Sequence, residues 1–275
     1  MKRLTDESYW NTVHGGPAPV AAPAVPTSFR KWLRHAGRSY AAEHFWNCCL
    51  SLHLKPGPQR IIEIGSAPGE FLKECHSRFA FDPYGVEYSP VGARVNRENF
   101  KSWGLDPNHI MQADLFTEDF QSAHREQFDV VVSRGFIEHF IDLQPVIDAH
   151  VSLLKSGGTL IVSIPNLSGF NYLIGMLTSR AVYPLHNLDI MRIEVFQKLF
   201  DRCNLQTLFC GYQGGVDLGI LEAGPQTPFS NWVRKVNRHV QWGLNVVFNS
   251  FPAGFVPETR YTSPYLLYIG RKKAT

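Results

Sequence analysis

The chain has 275 residues, 44% hydrophobic, 13% aromatic and 19% charged, enough to bury a full core in one large domain or two small ones. A net charge of +3 without a dense Lys/Arg run argues against a nucleic-acid partner, and Arg234, Lys235 and Arg238 read as the wet face of a helix. Five scattered cysteines (Cys48, Cys49, Cys75, Cys203, Cys210) without a C-x-x-C spacing suit a reducing, cytoplasmic setting and predict no metal centre, and with no leader core and no run of about 20 apolar residues, neither export nor a membrane span is expected.

Residues 1–14 are polar with Tyr9 and Trp10, and the Pro/Ala/Gly stretch 15–27 reads as an extended linker, so 1–27 stand apart from a main domain over 28–275. Between 28 and 54 apolar and aromatic residues recur at helical intervals, interrupted near Gly37, which predicts one or two helices. Strands are expected at 60–64, 84–87, 110–112, 128–133 and 159–164, with helices at 70–78, 89–103 and 143–154. Uniformly apolar strands between amphipathic helices imply a parallel sheet covered on both faces. A helix at 191–203 and strands at 206–212 and 261–271 follow, the last two as an antiparallel pair at the sheet edge. The connections 165–190 and 213–260 are longer than compact folding needs, and their aromatics argue against disorder.

The segment IIEIGSAPG (61–69) sets Gly65, Ala67 and Gly69 at alternate positions after a buried strand, so the backbone passes close to a ligand and the next helix presents its first N–H groups there. A dinucleotide fingerprint would place glycine at position 70, where this chain has Glu, which disfavours an NAD-linked oxidoreductase. Glu87, about 20 residues on at the end of a strand, is placed to accept both hydroxyls of a ribose. Asp114 follows the third strand in QADLF. Ser133–Asp142 (SRGFIEHFID) lies at the carboxyl edge of the fourth strand, where His139 is a free base at neutral pH.

These residues resemble the motifs of class I S-adenosylmethionine-dependent methyltransferases, and Glu138-His139 with Asp142 resembles the E-H-x-x-D segment of the small-molecule branch that includes the ubiquinone-biosynthesis O-methyltransferases. The likeness runs motif by motif over 58–165 and beyond only by strand count. It implies an α/β fold with a seven-stranded, mostly parallel sheet, helices on both faces, an antiparallel last pair and a helical N-terminal cap. It also implies S-adenosylmethionine held by Glu63, Gly65, Ser66, Ala67, Gly69, Glu87, Tyr88, Asp114, Leu115, Ser133 and Arg134, with Asp114 meeting the adenine amino group. His139 is the expected base for methylating a hydroxyl on a small-molecule acceptor. The segment 133–136 departs from the N-P-P-[YF] tetrapeptide of amino-methylating relatives, which disfavours DNA or a glutamine amide as acceptor.

The insertions 165–190 and 213–260 are expected to roof the acceptor, with Tyr183, His186, Asn187 and Trp232 as contacts and Gly214, Gly215 and Gly224 as hinges. Residues 228–248 serve a dimerisation helix equally well, leaving monomer and homodimer open. The competing functional reading is a methyltransferase-fold protein that binds the cofactor without transferring methyl, as a partner subunit or a different enzyme.

Overall fold

The computed structural model describes residues 1–15, 38–218, 227–251 and 255–274. Its sheet contains β1 (Arg60–Ile64), β2 (Asp82–Glu87), β3 (Ile110–Gln112), β4 (Phe128–Arg134), β5 (Leu154–Pro165), β6 (Leu205–Gln213) and β7 (Tyr265–Lys272). The spatial order is β3-β2-β1-β4-β5-β7-β6. The first five strands pair in parallel, and β7 runs antiparallel between β5 and β6.

Strand periodicity divides the apolar residues between two cores. Ile62, Ile64, Val131, Leu160, Val162 and Leu266 face one layer, completed by α5 (Glu118–His124), α6 (Leu143–Leu153) and α8 (Ile193–Lys198). Ile61, Val130, Val132, Ile161 and Leu267 face the other, against α2 (Tyr40–His44, continuing as a π-helical turn Phe45–Leu50), α3 (Glu70–Phe79) and α4 (Pro90–Ser102). Each fully buried aliphatic side chain contributes about 1.5–3 kcal/mol of transfer free energy. A one-residue register slip would exchange the two faces, and because both are apolar the helices on each side must fix the register.

Several elements depart from expectation. α1 (Glu7–His14) is a capped helix, with the Asp6 carboxylate accepting from the Tyr9 N–H at 2.8 Å. β7 begins at Tyr265 rather than 261, because Asn166 captures the preceding turn, its Nδ2 donating to the carbonyls of Arg260 and Ser263 at 2.9 and 2.8 Å. The helix expected over 191–203 is the shorter α8, and β5 begins five residues early, at Leu154. The long connections contain α7 (Gly169–Thr178) and α9 (Pro228–Phe248). Residues 28–37, most of the stretch 15–27, and Gly224 lie outside the described residues.

Gly69 ends the turn before α3 at φ +94°, and a Cβ there would meet the Asn96 amide oxygen and, at 3.0 Å, the Phe100 ring. Gly69→Ala therefore combines left-handed strain with a clash. It should cost about 1–3 kcal/mol and lower Tm by several degrees, measured by thermal melting. An unchanged Tm would show that the turn relaxes freely.

Candidate functional site

The carboxyl ends of β1, β2, β3 and β4 converge on a cavity of about 150 Å³ lined by Gly65, Ala67, Glu87, Tyr88, Asp114, Leu115, Phe116 and Arg134, among others. β1 runs into the turn at Gly65 (φ +71°). The α3 N-terminus, capped by a glycine with no side chain to offer, follows directly. Glu87 is buried at the tip of β2, its two oxygens accepting from the N–H groups of Ala67 (3.2 Å) and Ser89 (2.9 Å). The turn and the β2 tip are thus tied through one carboxylate, at the rim where a ribose would meet it.

Four residues assigned to the cofactor do not line the cavity: Gly69 caps α3, and three others lie behind the cavity surface. Glu63 is buried in β1, where the Arg134 guanidinium donates Nε (3.0 Å) and Nη2 (2.9 Å) to its Oε1. Burial pushes the Glu63 carboxyl upward and Arg134 opposes it. Ser66 Oγ accepts from Asn96 Nδ2 at 2.8 Å, and Ser133 Oγ donates to His150 Nε2 at 3.0 Å. None of the three lines the cavity.

The N-terminal segment forms the outer wall. Leu4 N–H donates to the His139 carbonyl (2.8 Å) and Ile141 N–H to the Lys2 carbonyl (3.1 Å), strapping 2–4 along 139–141. Arg3 Nη2 donates to Asp114 Oδ2 at 2.6 Å, and its guanidinium lies 4.8 Å from the Tyr88 ring centroid and 5.2 Å from that of Phe116. A planar cation therefore holds the Asp114 carboxylate that the resemblance implies for the adenine amino group, and lies against two aromatic rings. Trp10 and His14 of α1 line the same cavity. Short-range signals could not reveal this wall, since Arg3 and Asp114 are 111 residues apart.

A second cavity of about 590 Å³ adjoins the first, and Trp10, Arg134, Gly135 and His139 line both. Phe45, Trp46, Phe71, Glu138, His186 and Gln213 extend it. His139 Nδ1 donates to the Leu185 carbonyl at 2.7 Å, which leaves Nε2 as the free lone pair. Burial, reinforced by neighbouring His186, pushes the His139 pKa down to about 4, and burial pushes that of Glu138 up to about 8. Neither Glu138 oxygen has a hydrogen-bond partner. His186 Nδ1 likewise donates to a carbonyl, that of Val182, at 2.8 Å. One donor atom from each of Glu138, His139 and His186 lies within 4.8 Å of the others, a set that suits a divalent cation and that sequence spacing did not reveal.

The other expected acceptor contacts lie elsewhere. Tyr183 is buried with its hydroxyl donating to the Tyr172 carbonyl (3.1 Å), and Asn187 braces the 137–140 turn through the carbonyls of Glu138 (2.6 Å) and Phe140 (3.0 Å). Trp232 is 61% exposed and lines neither cavity. Gly214 and Gly215 adopt positive φ but are packed against Ala41, Pro264, Val256 and Tyr40.

A family model described as "Methyltransferase domain" matches residues 29–209. The ubiquinone biosynthesis O-methyltransferase of Xanthomonas axonopodis pv. citri is 28% identical over 117 residues, 42% of this chain and 47% of the relative. The chain spans about half the length of the curated relatives it matches. Among solved structures, a putative sarcosine dimethylglycine methyltransferase from Galdieria sulphuraria superposes with a TM-score of 0.56 at 14% identity, covering 97% of this chain and 98% of that one. Geranyl diphosphate C-methyltransferase from Streptomyces coelicolor A3(2) gives 0.55 at 13%, covering 92% and 86%. Glu87 and Asp114 set two carboxylates on the cavity wall beside the glycine turn, acceptor chemistry that fits the hydroxyl and amino groups of S-adenosylmethionine. With the strand order and a family model spanning well over half of its length in agreement, the chain belongs to the methyltransferase-domain family, as a class I member that takes S-adenosylmethionine as its cofactor.

Proposed function

We propose that this protein transfers a methyl group from S-adenosylmethionine to a hydroxyl of a small-molecule acceptor. The observation that carries the reading is the junction of the two cavities at Trp10, Arg134, Gly135 and His139. When bound, the cofactor supplies an activated methyl on a sulfonium, so the protein's task is alignment and exclusion of water. Glu87 holds the ribose, the 65–69 turn passes beneath the methionine portion, and Asp114 receives the adenine amino group. His139 Nε2 takes the acceptor proton across the junction. The distant relatives named ubiquinone biosynthesis O-methyltransferase favour a hydroxyl over nitrogen or carbon.

At about 150 Å³ the first cavity is smaller than the roughly 300–1,000 Å³ of ordinary ligand sites, and Arg3 is what fills the purine slot. Cofactor entry must therefore displace it. By calorimetric titration with S-adenosylhomocysteine, Arg3→Ala should tighten binding several-fold, whereas Glu87→Ala should weaken it by about 10–100-fold through loss of a charge-assisted pair. Weaker binding in Arg3→Ala would mean that the guanidinium stacks on the purine instead of competing with it.

His139→Ala should lower kcat on a hydroxyl acceptor by about 10²–10⁴ with cofactor affinity retained. A base is lost as pH falls through its pKa. With the His139 pKa held down at about 4, the acid limb of kcat that reports this base should fall below about 5. An acid limb centred near 6.5 would place the base in wetter surroundings than the junction.

The unpartnered Glu138 carboxyl favours a second reading, in which a divalent cation on Glu138, His139 and His186 meets the acceptor oxygen. Cation binding requires Glu138 ionised, so any metal-induced rise in Tm should grow as pH increases toward and through about 8. Differential scanning with Zn²⁺ or Mn²⁺ should show that rise in the parent and not in Glu138→Gln. No shift at any pH would leave His139 acting as a free imidazole.

A further inference from the structure

α9 is built inside out. The side it turns to the protein is polar, with Ser230, Arg234 and Asn245 buried, while Phe229, Trp232, Val236, Val240 and Val247 are exposed along the opposite stripe. An amphipathic helix free to roll would hide that stripe. Here polar anchors prevent rolling. Arg234 Nη2 donates to the Thr178 carbonyl at the end of α7 (3.0 Å), and Asn245 Oδ1 accepts from the Tyr40 N–H (3.3 Å). Gln241 Nε2 donates to the Val216 carbonyl (3.0 Å) and its Oε1 accepts from the Leu218 N–H (2.8 Å).

α7 packs beside α9 and presents Phe170, Tyr172, Leu173 and Leu177 outward. The chain after α9 adds a stacked pair, Phe251 and Phe255, with ring centroids 4.3 Å apart. Most of the large apolar side chains exposed among the described residues belong to α7, α9 and the chain just after α9. A patch of this kind marks an interaction surface.

Charge identifies the occupant. Residues 169–187 and 227–257 contain no Asp or Glu, although the chain has 24 such residues, and of their cations Arg180, Lys235 and Arg238 are exposed while Arg234 is buried as an anchor. A second copy docking through the same face would oppose cation to cation. An anionic bilayer instead matches the basic flank with its head groups and the aromatic stripe with its acyl boundary.

We propose that the α7–α9 face docks the protein on an anionic membrane surface. No helix among the described residues is long and apolar enough to cross a membrane, and the attachment proposed here is peripheral. Val182 and His186, which line the second cavity, follow the end of α7 by four and eight residues.

Flotation of the full chain with vesicles tests this. Vesicles of phosphatidylcholine with about 30% phosphatidylglycerol should carry the protein upward, pure phosphatidylcholine should carry little, and raised salt should weaken the association. Lys235→Glu/Arg238→Glu and, separately, Trp232→Ser/Val240→Ser should each reduce binding about tenfold or more, with melting curves like the parent because all four positions are exposed. Equal recovery with the two vesicle types, or unchanged binding in both variants, would overturn the proposal. So would a lack of flotation accompanied by a sedimentation-detected dimer that Trp232→Ser/Val240→Ser dissolves, which would give the face to a second copy.

Discussion

Everything at the site depends on the place of β1 in the sheet. The chain leaves β1 to build β2 and β3 on one side, then crosses back to place β4 and β5 on the other. The crossover helices diverge at that reversal, and the carboxyl ends of β1 and β4 are left uncovered between them. Buried apolar strands can be satisfied by helices on their faces, but not at their ends. The ends therefore carry the polar groups of the fold.

Three buried carboxylates stand at those ends, and their partners differ in kind. Glu63 is answered by an arginine, Glu87 by two backbone N–H groups, and Glu138 by no hydrogen-bond donor. The first is architecture. Removing Arg134 would strand a buried charge, the situation in which ion pairs cost several kcal/mol. The second fastens the turn to the β2 tip and, under the proposed function, is also the acceptor for the ribose. The third has no structural work to explain it, and its place beside His139 and His186 makes it the chemically available group of the second cavity.

The sheet was legible in the sequence because its strands are short apolar runs punctuated by glycine, proline and acids, and because the two faces need no polar alternation. Gly65, Ala67, Glu87, Asp114 and His139 could be placed for the same reason, each following a strand end at a short interval. What escaped were pairings across long separations. The Arg3–Asp114 contact and the approach of His186 to Glu138 and His139 leave no local periodicity. The start of β7 was misread because Tyr261 and Thr262 favour strands, while the Asn166 side chain holds their neighbours' carbonyls in a turn. The helical period of residues 228–248 was legible, but the side that faces the protein was not, because Arg234, Gln241 and Asn245 reverse the usual sense of burial.

The most direct measurement is a crystal structure with S-adenosylhomocysteine bound. Ribose hydroxyls should lie within hydrogen-bonding distance of Glu87, the purine between Tyr88 and Phe116 with its amino group on Asp114, and Arg3 should be withdrawn. The sulfur should face the junction at Arg134 and His139. A ligand bound away from the Glu87 tip, or a purine placed elsewhere with the Arg3–Asp114 pair intact, would contradict this placement.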